Sequence, residues 1–89
     1  MKTISIEIPE ELAQIFDSSR IAYIKAIDKH PNFASNLLEM CVILNEEAGE
    51  VNKAVLDRLN CEGTTGQIKS ELYDTIAVCY RALIMLKHA

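Results

Sequence analysis

The chain opens on a strict alternation: in "KTISIEI", Ile4, Ile6 and Ile8 point one way and Thr3, Ser5 and Glu7 the other. A period of two predicts a short half-buried strand. Pro9 ends it, and "PEEL" starts a helix with proline and acids in its first turn, where both suit the helix dipole. That helix is predicted through "ELAQIFDSSRIAYIKAID", with "DSS" either interrupting it or capping a second segment from Ser19, and Pro31 as its limit. A second helix is predicted from about Asn32 to Leu59, where Leu37, Cys41, Leu44, Ala48, Val51, Val55 and Leu59 recur at spacings of three and four. "NCEGTTG" breaks the pattern as a loop, with Thr64 or Thr65 placed to cap a third helix from about Gly66 or Gln67 to near the end. The apolar face of this last helix is Ile68, Leu72, Ile76, Cys79, Leu83 and Leu86.

Into the second helix "NEEAGE", Asn45 to Glu50, sets three carboxylates. A helix advances roughly 100° per residue, so Glu47 and Glu50 share a side as i, i+3 neighbours, and Glu46 and Glu50 are i, i+4 neighbours. Met40, Ile43 and Ala54 continue the same line, so the acids interrupt an apolar row. The third helix repeats the arrangement, with Glu71 and Asp74 at i, i+3 followed by Val78, Ala82 and Met85. In an antiparallel hairpin, Glu47 and Glu50 would face Asp74 and Glu71. Carboxylates converging in a partly apolar cleft raise one another's pKa, and desolvation adds to the cost. A hard divalent cation resolves the conflict, and oxygen-only ligands suit Mg²⁺ or Mn²⁺ better than zinc. Mg²⁺ binds through a few carboxylates plus substrate phosphates, which points to a phosphate-bearing substrate. The competing reading is a solvated helix face, since acidic pairs at these spacings are common.

Composition narrows the remaining choices. A single domain of 89 residues buries a modest fraction of its surface, so self-association is expected. At 49% apolar residues with two Pro and three Gly, the chain favours long helices around a core, an all-α architecture. A net charge of −4 gives no reason to bind nucleic acid or an anionic membrane. Three cysteines without a CxxC or Cys/His cluster make neither a disulfide framework nor a zinc site. Cys41 and Cys79 read as small hydrophobes, which with no leader and no membrane-length apolar run suggests the cytoplasm.

"EEAGE" followed after a loop by "ELYD" resembles the EExxE…ExxD signature of the all-α nucleoside triphosphate pyrophosphohydrolases, which include MazG-like proteins, dimeric dUTPases and phosphoribosyl-ATP pyrophosphohydrolases. "LNEEAGEVNKAV" and "ELYDTIAVCYRAL" also resemble MazG-like helices, and the likeness covers roughly Phe33 to Leu86. The resemblance implies a helical hairpin holding Mg²⁺ within a bundle completed by a partner subunit, as a homodimer or homotetramer. It implies cleavage of a nucleoside triphosphate between the α and β phosphates to monophosphate and pyrophosphate. By position, Glu47, Glu50, Glu71 and Asp74 would be metal ligands, and Glu46 a ligand or the residue that deprotonates the attacking water. Many relatives continue past the ExxD helix with groups for the substrate, so here a neighbouring subunit would complete the pocket, or substrate binding is weak or absent.

Other residues carry competing roles. Lys53 would contact a substrate phosphate or pair with Glu50 or Asp57, and Arg81 and Lys69 have weaker claims of the same kind. Phe33 and Asn36 would touch a base, or serve as a core aromatic and a helix-start residue. Tyr73 and Tyr80 face away from the acids and read as packing or subunit-contact groups, and His30 and His88 have no partner pattern. "MKTISIEIPEEL" also resembles the opening of ribbon-helix-helix DNA-binding proteins, but only Lys2 nearby is basic while Glu7 would face phosphates. A helical interaction module without catalysis is the third reading.

Overall fold

The computed structural model describes residues 9–88, in which three α-helices follow one another: α1 (Glu10–Lys29), α2 (Leu37–Leu59) and α3 (Thr65–Lys87). The expected strand, with Thr3, Ser5 and Glu7, lies outside the described residues. Helix α1 starts behind Pro9 with Glu10 and Glu11 in its first turn and Lys29 in its last, charges that complement the helix dipole at both ends. It runs unbroken through "DSS". The Ser19 hydroxyl donates to the Phe16 carbonyl at 2.8 Å and shares a 2.7 Å hydrogen bond with the Tyr80 hydroxyl, so it is used for packing and not for a cap.

Helix α2 begins five residues later than the sequence pattern predicts. Asn36 Oδ1 accepts the Glu39 N–H at 2.9 Å while Glu39 Oε2 accepts the Ser35 N–H at 2.7 Å, so two otherwise orphaned donors are satisfied and the helix is fixed to start at Leu37. Its end is a Schellman motif: Glu62 N–H reaches the Asp57 carbonyl at 2.8 Å and Cys61 N–H the Arg58 carbonyl at 3.2 Å. Cys61 carries the left-handed φ of 60° that this motif requires and that glycine usually supplies. Thr64 and Gln67 form a reciprocal capping box that opens α3.

Helix α3 is central. It packs against both α1 and α2, whereas no Cα atoms of α1 and α2 come within 8 Å of each other. The close packing rests on small side chains, with Ala54 of α2 and Ala77, Val78 and Ala82 of α3 buried. On the α1 side Tyr23 and Tyr80 meet edge-to-face at 6.1 Å beside the buried Ser19. The result is a layer of 53 × 35 × 22 Å with a radius of gyration of 15.6 Å, against about 12 Å for a compact domain of this length.

The covered positions of α2 include Met40, Ile43, Glu47, Val51 and Ala54, and those of α3 include Glu71, Thr75, Val78, Ala82 and Met85. The cleaner apolar stripes are left largely uncovered: Leu37, Cys41, Ala48, Val55 and Leu59 are exposed on α2, and Leu72, Cys79, Leu83 and Leu86 on α3. Leu59 and Leu83 retain 72% and 64% of their accessible surface, which marks these stripes as unpartnered among the described residues. Cys41 and Cys79, expected among core residues, are therefore exposed free thiols, as is Cys61. No described helix is long and apolar enough to cross a membrane.

Candidate metal centre

Glu47 of α2 and Glu71 of α3 lie on covered positions of their helices, with Glu50 and Asp74 beside them at exposed ones, so helix packing brings the acids together. Glu47, Glu71 and Asp74 each offer a carboxylate oxygen, and the three oxygens lie within 4.8 Å of one another. Glu47 and Glu71 are half-buried and Asp74 is exposed. Oε2 of Glu47 and Oε2 of Glu71 are buried without a hydrogen-bond partner among the described residues. Buried carboxylate oxygens in that condition are uncommon, because the desolvation is uncompensated.

The electrostatics follow from this crowding. Burial pushes the Glu47 carboxyl above its ordinary value of 4.5, and Glu50, Asp74, Glu71 and Glu46 all push it further in the same direction. Glu71 is raised first by burial, then by a hydrogen bond with Glu50 and by the charges of Glu50 and Asp74. The Lys53 ammonium opposes the shift.

The expected site residues are thus divided. Glu47, Glu71 and Asp74 come together, and Glu50 joins them through Glu71. Glu47, Glu50 and Asp74 line one cavity of about 320 Å³ with Phe33, Val78 and Arg81. Glu46 lies on the flank and lines a separate hollow with Leu38, Glu39, Val42 and Ile43. Lys53 is paired with Asp57 at 3.2 Å, and both line a hollow that also contains Glu50 and Glu71. A cation fits the central donor set. Two oxygens on one Mg²⁺ are at most about 4.2 Å apart, so a spread of 4.8 Å closes with a small rotamer adjustment.

Arg81, a weak candidate by sequence, lies over the Phe33 ring at 5.0 Å and donates to the Ala26 and Pro31 carbonyls at 3.5 and 3.3 Å. It ties α3 to the connection between α1 and α2 while its guanidinium lines the acidic cavity. Asn36 is a cap, and Tyr80 a packing group, as one of their two expected roles had it. Sequence reasoning missed the contribution of α1 and its C-cap, whose Lys29 and His30 form part of the cavity wall. No periodicity announces them, because their place depends on how α1 docks on α3. No family model, curated protein or solved structure matches this chain.

Proposed function

We propose that the chain is a Mg²⁺-dependent nucleoside triphosphate pyrophosphohydrolase of MazG-like type, with α2 and α3 as an antiparallel hairpin that carries the metal ligands. The observation that carries this reading is the meeting of Glu47, Glu71 and Asp74 within 4.8 Å, with two buried carboxylate oxygens left without partners. Glu47, Glu71 and Asp74 would hold the ion, with Glu50 completing the set, and Mn²⁺ would substitute. When bound, the ion supplies charge neutralisation for the triphosphate and lowers the pKa of a water. Glu46, beside the triad and outside it, is the candidate general base. It takes a proton as the water oxygen bonds to the α phosphorus and the bond from that phosphorus to the bridging oxygen breaks, giving monophosphate and pyrophosphate. Lys53 is a candidate phosphate contact that would first have to leave Asp57.

The uncovered stripes support a homodimer or homotetramer. The chain exposes 7259 Å², whereas a compact monomer of 10.0 kDa exposes about 5,200 Å². Free thiols on such a surface fit a reducing, cytoplasmic setting.

The test is pyrophosphate release from a panel of ribo- and deoxynucleoside triphosphates, with Mg²⁺ and with EDTA. Metal-dependent release with monophosphate as co-product is expected, and Glu50→Gln or Asp74→Asn should abolish it. Absence of release from every nucleotide, with Mn²⁺ also tried, would overturn the enzyme reading in favour of a non-catalytic helical module.

A further inference from the structure

We infer that the groove between α1 and α3 is the subsite for the pyrophosphate end of the substrate, held by Lys25 and Lys29. The inference rests on the metal-dependent nucleotide reading, since it takes the acidic cavity as the place where the bound phosphates begin. Beside that cavity lies a second one of about 430 Å³, lined by Ser18, Lys25, Lys29, Ser70, Tyr73 and Asp74 among others. Ala26, Lys29 and Asp74 line both cavities, so the two adjoin as one groove, with Glu47, Glu50 and Arg81 at one end, Lys25 at the other and Lys29 and Asp74 between.

The charges in this groove are unbalanced in a way that an extended anion corrects. Lys25 and Lys29 are i, i+4 neighbours on α1, a spacing at which like charges disfavour one another. Among the described residues neither ammonium forms an ion pair, even though both share a cavity with the Asp74 carboxylate. A metal-bound pyrophosphate group satisfies both ends. Its near oxygens meet the cation held by the carboxylates, and its far oxygens meet two ammonium groups, which suit phosphate as point charges. Ser18, Ser70 and Tyr73 line the same space and carry hydroxyls of the kind that donates to phosphate oxygens. Without a cation Asp74 repels the same anion, so metal should strengthen its binding.

The test titrates inorganic pyrophosphate calorimetrically into the full chain, with excess Mg²⁺ and with EDTA. Wild type is compared with the Lys25→Gln/Lys29→Gln double variant and with Arg58→Gln, a charge-loss control on the exposed end of α2. A parallel Mn²⁺ titration reads the carboxylate site by itself, and circular dichroism checks folding, which substitution of two exposed lysines should leave intact. The double variant should bind pyrophosphate about tenfold more weakly, with Mn²⁺ binding retained and Arg58→Gln close to wild type. Equal pyrophosphate affinity in wild type and the double variant, with Mn²⁺ still bound, would overturn the subsite and leave the metal reading standing. If wild type binds no Mn²⁺, the metal reading fails. In that case pyrophosphate binding in EDTA that the double variant loses still supports the lysine subsite, and its absence from wild type overturns it.

Discussion

Exchanging Glu47 for glutamine should raise stability without metal and forfeit stability with it. Two unit charges 4.8 Å apart repel by about 3.5 kcal/mol at an effective dielectric of about 20 and by about 0.9 kcal/mol in bulk water. Asp74 is exposed and the two glutamates are half-buried, so the screened end of that range applies and each contact of Glu47 weighs about 1 kcal/mol. Glu47 has two such partners, Glu71 and Asp74. Their relief stabilises the metal-free variant by about 2 kcal/mol, and its amide also offers a donor to the unpartnered Glu71 oxygen. For a domain of this size that is a rise in Tm of about 8–16 °C. Wild type, in turn, gains about 4.1 kcal/mol from Mg²⁺ at 1,000 times its Kd, most of which the variant loses. Thermal melts followed by circular dichroism at one fixed protein concentration, in EDTA and in Mg²⁺, should therefore show the two proteins exchanging order. A variant less stable than wild type in EDTA, or equal gains from Mg²⁺ in both, would refute the account of these carboxylates as crowded anions awaiting a cation.

The same crowding sets a pH dependence. Glu47 and Glu71 are raised in the fold above 4.5, so the folded state binds protons more tightly than the unfolded one. Metal-free stability should be greatest below that value and fall as pH rises through it towards the raised values. Melting temperatures in EDTA that climbed from pH 4.5 to 7 would contradict this, and Mg²⁺ should flatten the profile. Cys61→Gly should stabilise the chain by about 1 kcal/mol in urea unfolding, because glycine adopts the φ of 60° without the strain an L side chain meets there. Leu83→Lys puts a charge on a stripe that is 64% exposed in one chain. If that stripe is covered by a second copy, lost burial on both chains weakens association at least about 100-fold; sedimentation velocity reads it, and a wild type that stays monomeric at high concentration would count against the interface.

Much of the fold is legible along the chain, because the signals involved are local. Helical spacing of apolar residues identifies α2 and α3. Asn36 and Thr64 are side chains that satisfy N–H groups within three residues, so helix starts are written nearby even where the long α2 pattern overran one. The i, i+3 spacing of Glu47 with Glu50, and of Glu71 with Asp74, likewise puts acids on one side of each helix.

What packs against those lines is decided by the tertiary structure. Ser19 is no helix break because Tyr80, far along the chain, takes its hydroxyl. Two lines on α2 are apolar enough to be buried, and the acidic one is covered because Ala54 and Ala82 are small enough to let the helices approach there. Lys25, Lys29 and Arg81 join the acidic groove only through the docking of α1 and its connection on α3. The sequence by itself determines where helices form and which residues share a face, since hydrogen bonds and side-chain direction within a helix are set by near neighbours. Which face is covered, and which charges meet across the groove, depends on close packing between residues that the chain's own order keeps apart.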